Sequence, residues 1–299
     1  MSDLAAPSPA HPPITVGLVG AGPWARRVHA PMLAAGPHTR LGGVWSRRPE
    51  AAKELAVAFG ADACPRYDDL LDTCDAIAFA VPPQVQAELA AIAARSGRPV
   101  LLEKPLAADL DGARALADVI GETGVASQMV LTWRYSAEVR EFLGRVAALE
   151  PFGGRAAYVS GGLLGEFATP WRLERGAVLD VGPHMVDLLS AALGPVAGAV
   201  AHGDPLRWTG MLLQHEGGAV SELSLCMNTP LPEHRAWIEV YGRHGGEALD
   251  ASRLGPEIFT TLAAEFAETV RRGGGHPLDA AHGLRLQETI AAVEEGLAR

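Results

Sequence analysis

Ile14-Thr15-Val16-Gly17-Leu18-Val19-Gly20-Ala21-Gly22-Pro23-Trp24-Ala25 decides how the first half of this chain is read. The apolar run over 14–20 reads as a buried strand. A helix follows over 23–35, with Pro23 tolerated in its first turn. Between them, Gly20-Ala21-Gly22-Pro23-Trp24-Ala25 fits G-x-G-x-x-G/A, with Ala25 in the third slot. Gly20 permits the tight turn and Gly22 lets the backbone approach a pyrophosphate. Ala25 is small enough for the helix to pack on the strand, and the helix N-terminus offers its N–H groups to phosphates.

The same rhythm continues outward. Strands are expected over 40–46, 75–81, 99–103 and 125–130, and helices over 49–59, 84–95 and 109–120. Gly60 and Gly97 close two of the helices, and prolines stop two of the strands. Strands that alternate with helices specify an α/β fold with a parallel sheet covered on both faces. Crossover handedness makes it doubly wound, the Rossmann arrangement. After 130 the rhythm changes. Residues 136–147 look helical, 154–162 extended and 176–192 helical. Extended runs over 196–202, 206–215, 219–227 and 235–241 then follow without helices between them, which suggests an antiparallel sheet. Helices over 257–271 and 281–297 close the chain. The expected division is 1–13 as a disordered tail, 14–122 as a dinucleotide-binding domain and 123–299 as a second domain.

Composition narrows the function classes. A length of 299 residues suits two domains, and a formal charge of −10 disfavours nucleic acid and anionic membranes as partners. Cys64, Cys74 and Cys226 have no C-x-x-C spacing, which predicts neither a disulfide framework nor a zinc site and suits a cytoplasmic protein. No stretch reads as long and apolar enough to cross a membrane. The end of the second strand separates the two nicotinamide dinucleotides. Val44-Trp45-Ser46-Arg47-Arg48 has no acid for a ribose 2′-hydroxyl, and Ser46 with Arg47 suits a 2′-phosphate. This favours NADP(H) and leaves NAD(H) as the alternative.

Glu103-Lys104-Pro105 ends a parallel strand, where open α/β sheets bind ligands. With the glycine turn, it makes the chain resemble the glucose-fructose oxidoreductase / inositol dehydrogenase / rhizopine catabolism protein (Gfo/Idh/MocA) family. Val81-Pro82-Pro83, Trp133-Arg134-Tyr135 and Gly176-Ala177-Val178-Leu179-Asp180-Val181-Gly182-Pro183-His184 match further family segments. Gln86 stands where the family often has His, and Arg175 where another Gly is common. The resemblance implies a Rossmann domain, then an α/β domain with an open, mostly antiparallel sheet through which many members self-associate as dimers or tetramers. It implies NAD(P)-linked oxidation or reduction, often of a sugar or cyclitol.

Hydride exchange at a carbinol carbon needs a partner for the hydroxyl proton. Lys104 is the first candidate. Asp180 and His184, four apart, are expected on one helix face with Asp187 close by. The resemblance turns that face to the cleft. His184 then exchanges the proton, since a histidine titrates near neutrality. Asp180 orients the substrate and biases His184, while Lys104 polarises the reacting oxygen or shares the proton role. Gly20, Gly22, Pro23, Trp24, Ser46, Arg47, Val81, Pro82, Glu103 and Lys104 form the expected cofactor site. Glu103 either anchors the lysine loop or touches the nicotinamide ribose. Arg134, Trp171 and Arg172 are substrate-pocket candidates. No metal is expected, because Asp180 and His184 lack a third ligand nearby in sequence. Two other functions use the same residues: an NAD-dependent glycoside hydrolase working by transient redox, and a non-catalytic cofactor-binding sensor.

Overall fold

Six short apolar runs, each followed by a chain reversal, pair side by side in the first half of the molecule. The structure, a computed structural model, describes residues 11–166 and 168–298. Residues 1–10 of the expected tail lie outside the described residues. The strands are β1 (Ile14–Val19), β2 (Thr39–Trp45), β3 (Asp62–Ala63), β4 (Ala76–Phe79), β5 (Val100–Leu102) and β6 (Ser127–Met129). They form one parallel sheet in the order β3-β2-β1-β4-β5-β6. The strand order reverses between β1 and β4, which is where such sheets bind ligands. Strand residues such as Leu18, Ile77 and Leu101 are fully buried, as a sheet covered on both faces requires.

The helices of this half are α1 (Ala30–Ala34), α2 (Pro49–Ala58), α3 (Tyr67–Thr73), α4 (Pro83–Arg95) and α5 (Leu110–Thr123). A π-helical turn, Ala25–His29, leads into α1. Strand β3 and helix α3 escape a reading by periodicity. One has two residues, and the other is a seven-residue helix held by the Arg66–Asp69 capping pair. Strand β6 pairs parallel with β5, so the first sheet extends past residue 122, where the sequence reading divides the chain.

The second half opens with α6 (Ala137–Ala147), β7 (Pro151–Val159), α7 (Pro170–Asp180) and α8 (Gly182–Leu193). Then come β8 (Val196–Gly203), β9 (Thr209–His215), β10 (Val220–Cys226), β11 (Arg235–Gly242) and β12 (Gly245–Asp250), followed by α9 (Glu257–Arg272) and α10 (Ala280–Leu297). The sheet order is β12-β11-β7-β10-β9-β8. Every pairing is antiparallel except β7 with β10. Alternation along β9 and β10 buries Met211, Leu213, Leu223 and Leu225, and leaves Leu212 and Val220 on the uncovered face.

The single helix expected over 176–192 is replaced by a junction of two. Gly176 is non-helical, at φ 68° and ψ −157°, and a Cβ there would run into the Pro205 carbonyl. Helix α7 ends at Asp180 and α8 begins at Gly182. Pro170–Leu193 also corrects the reading that no stretch is apolar and long enough to span a membrane. It has 24 residues of sufficient hydropathy, but 83% of the apolar window is buried inside the protein as core.

Candidate active site

The site is built where the ends of β1, β4 and β5 meet the α7–α8 junction. Gly20 has φ 116°, and a Cβ there would strike the Ala80 carbonyl at the end of β4. Only glycine lets β1 turn so close to its neighbour. A Cβ at Gly22 would meet nothing within 4 Å, so the turn is open where a pyrophosphate would lie. These residues fit a dinucleotide.

A cavity of about 130 Å³ runs from that turn to α7. Gly22, Pro23, Trp24, Val81, Pro82, Glu103, Lys104, Trp171 and Arg172 line it, while Asp180 and His184 stand behind its wall and do not line it. A second cavity passes the other side of the turn. Arg26, Arg27 and Arg48 line it, not Ser46 or Arg47. Ser46 instead accepts the Arg48 N–H at 3.3 Å.

Lys104 crosses between the two halves of the chain. Its Nζ donates to the Asp180 carbonyl at 2.8 Å and to Asp180 Oδ1 at 2.7 Å. Arg172 Nε donates to the other carboxylate oxygen at 2.8 Å, and its guanidinium lies 4.6 Å from the Trp171 ring centre. Asp180 is only 4% exposed. Burial works to raise its pKa, but Lys104 and Arg172 overrule it and hold the carboxyl below its usual range. Two cations share this one carboxylate, and both line the cavity together with Glu103 and Glu166. Lysine is rare in this chain: Lys53 and Lys104 are its two lysines, among 25 basic residues. The compact ammonium has three N–H donors, and Asp180 uses two.

The loop carrying Lys104 is pinned from behind by Gln86, which is fully buried. Its Nε2 donates to the carbonyls of Glu103, Pro105 and Leu106, and its Oε1 accepts the Glu103 N–H at 2.8 Å. Glu103 Oε1 accepts from Trp24 Nε1 at 2.6 Å and contacts His29 Nε2 at 2.7 Å. Sequence spacing gave no sign of these roles for Gln86 and His29, because their partners lie 17 to 74 residues away.

His184 occupies the first turn of α8, with its ring 5.2 Å from that of Trp133. The expectation that it titrates near neutrality is corrected. Burial and the Lys104 charge push its pKa down to about 3, against an upward pull from Asp180. A ring nitrogen, Nδ1, is buried without a partner among the described residues. The imidazole is therefore neutral at physiological pH.

This has a consequence for stability. The folded pKa lies below the unfolded one, so the stabilisation is complete above about pH 6.5. It is lost as pH falls, by up to about 1.4 kcal/mol per unit. The wild type is expected to lose more melting temperature between about pH 6 and about pH 4 than His184→Gln does. Equal slopes in a thermal melt series would contradict the buried neutral histidine.

Arg134 and Asp187 sit elsewhere. Arg134 Nη1 and His282 Nε2 both meet Asp187 Oδ1, at 2.8 and 2.7 Å. Arg134 and His282 line a separate cavity of about 450 Å³ beside α8, β8 and α10, which contains none of Lys104, Asp180 or His184. Among the described residues, no group of three or more His, Cys, Asp or Glu side chains is placed to hold a metal.

Comparison with known proteins agrees with this architecture. A family model described as "Oxidoreductase family, NAD-binding Rossmann fold" matches residues 14–130, and the GFO/IDH/MocA C-terminal domain matches 143–246. The chain is 31% identical to a dTDP-3,4-didehydro-2,6-dideoxy-alpha-D-glucose 3-reductase of Streptomyces violaceoruber, covering 94% of this chain and 95% of that protein. It is 29% identical to the Streptomyces antibioticus enzyme of the same name, over 94% and 97%. GenD2 from gentamicin A biosynthesis, solved with NAD, superposes with a TM-score of 0.86 at 23% identity, covering 98% and 97% of the two chains. KijD10, a 3-ketoreductase from Actinomadura kijaniata solved with TDP-benzene and NADP, gives 0.78 at 24% identity, over 95% and 98%. The parallel sheet with its glycine turn, the mixed second sheet and these matches over nearly the whole length place the chain in the Gfo/Idh/MocA family of NAD(P)-dependent oxidoreductases.

Proposed function

We propose that the protein exchanges a hydride between a nicotinamide dinucleotide, NADP(H) by preference, and a carbonyl or alcohol carbon of a sugar or cyclitol. One observation carries this reading: Lys104 lines the cavity beside the open glycine turn, with two of its three N–H donors committed to Asp180. The third is left for a substrate oxygen. Bound at the turn, the dinucleotide supplies or accepts the hydride. The chain's own residues handle charge and proton.

The Lys104 ammonium, held in place by Asp180, stabilises negative charge as it develops on the substrate oxygen. Lys104 gives that oxygen its proton in reduction and takes it in oxidation. His184, neutral and held against Trp133, orients the substrate through a ring nitrogen and does not carry the proton alone. Trp171 and Arg172 form the pocket wall opposite the cofactor turn. The preference for NADP(H) rests on the acid-free end of β2 and on Arg48 beside the turn. The names of the relatives, which are sugar 3-reductases, support a pyranose ketone as the oxidised substrate.

Titration of the intrinsic tryptophan fluorescence tests the cofactor. NADPH is expected to bind at least about tenfold more tightly than NADH, a difference of about 1.4 kcal/mol. Equal affinities would overturn the preference, and no response to either dinucleotide would overturn the whole reading.

A further inference from the structure

The helix that follows the glycine turn is not a plain α-helix. Ala30 N–H bonds to the Ala25 carbonyl, an i→i+5 contact that makes 25–29 a π-helical turn. In an α-helix, residues five apart point about 140° away from each other. In an i→i+5 turn, with about 4.4 residues per turn, they come within roughly 50° of each other and share a face. Trp24 and His29 are five apart, and this turn brings both to one carboxylate oxygen, Glu103 Oε1. Glu103 Oε2 in turn accepts the backbone N–H of Lys104 at 3.2 Å.

His29 is fully buried and its Nδ1 has no partner among the described residues. Burying an unpartnered ring nitrogen is costly. The imidazole's polar contact in this position is with Glu103, so that contact is what its burial secures. Gln86 meanwhile fixes the Glu103 backbone with hydrogen bonds at both its N–H and its carbonyl. The carboxylate is thus tied to the phosphate-binding helix at one end and to the lysine loop at the other.

We propose that Trp24, His29 and Glu103 form a relay that couples occupancy of the phosphate turn to the placement of Lys104. They are positioning residues: none need touch substrate. The inference rests on the cofactor reading above, and it assigns Glu103 to the lysine loop, not to the nicotinamide ribose. A shift of the helix N-terminus towards a bound pyrophosphate moves Trp24 Nε1, and Glu103 passes that movement to the Lys104 backbone.

The chain's two lysines make the test clean. The full-length protein is prepared with 13C-labelled lysine, and the Lys104 signals are assigned with Lys53→Arg. The probe is ADP, which carries a pyrophosphate and no nicotinamide, so it reaches the turn without touching Lys104. ADP is expected to shift the Lys104 Cε signal in the wild type. In Trp24→Phe, which keeps an aromatic ring and loses the N–H, the Lys104 shift is expected to disappear at ADP saturation, with saturation read separately from the phosphorus signals of ADP. Glu103→Gln is expected to reduce the same shift and serves if the first variant does not fold. An undiminished Lys104 shift in either folded variant overturns the relay, as does a wild type that binds ADP with Lys104 unmoved. Failure of ADP to bind the wild type is a different result: it overturns the cofactor reading and the relay with it.

Discussion

Replacing Lys104 with methionine is expected to lower turnover on the order of 10³-fold while leaving the NADPH dissociation constant within about threefold. Methionine keeps the length of the stem and removes every N–H. Two losses combine: the donor facing the substrate oxygen, and the positive charge that stabilises it in the transition state. A single positioned donor is worth about 10²–10³ in rate, and general acid catalysis about 10²–10⁴. Cofactor affinity should be spared because the phosphates would be held by the backbone of the glycine turn, not by the Lys104 ammonium. The fold is spared because Asp180 keeps Arg172, 2.8 Å away. Steady-state rates and a fluorescence titration on the same preparation check both halves. Turnover within tenfold of wild type would remove Lys104 from the chemistry.

Asp180→Ala has the largest expected effect on stability. The carboxylate is 4% exposed and is the shared counter-charge of Lys104 and Arg172, themselves 11% and 17% exposed. Its removal leaves two cations facing each other in a poorly solvated space. Breaking a buried pair from one side costs about 3–5 kcal/mol. The melting temperature at neutral pH should therefore fall by roughly 5–8 °C. Because the folded carboxyl titrates below its unfolded value, this contribution is complete at neutral pH. It is lost as pH falls through the depressed folded value. The gap between wild type and variant should accordingly narrow in acid. A midpoint within about 2 °C of wild type at neutral pH would show that the cluster carries little of the fold.

Much of this site was legible in the sequence, for physical reasons. A strand ending in Gly20-Ala21-Gly22 and leading into a helix has few alternative conformations, and the strand–helix rhythm leaves few topologies. Glu103-Lys104-Pro105 marks itself by standing at a strand end. The α7–α8 region was harder. Its apolar residues continue at helical spacing through Gly176 and Val181, so periodicity reads one helix where the backbone makes two. The close approach of Gly176 to Pro205, which puts a non-helical residue inside α7, is a tertiary contact. The protonation of His184 is hidden from the sequence for a similar reason. Burial sets it, and no local pattern around Gly182-Pro183-His184 reports burial. Its sequence context makes Arg134 a substrate-pocket candidate, whereas its guanidinium pairs with Asp187 on α8. Gln86 and His29 act through loops and strands distant in sequence, so their roles became visible only with the fold.

The most direct test of the account is isotopic. Wild type and Lys104→Met are incubated with NADPH deuterated at the nicotinamide C4 and a panel of pyranose ketones, and the sugar products are weighed by mass spectrometry. The account predicts one deuterium on a ring carbon of the alcohol formed by the wild type, with almost none formed by Lys104→Met in the same time. Deuterated cofactor that stays unconsumed with every ketone, or equal product from both proteins, would contradict it.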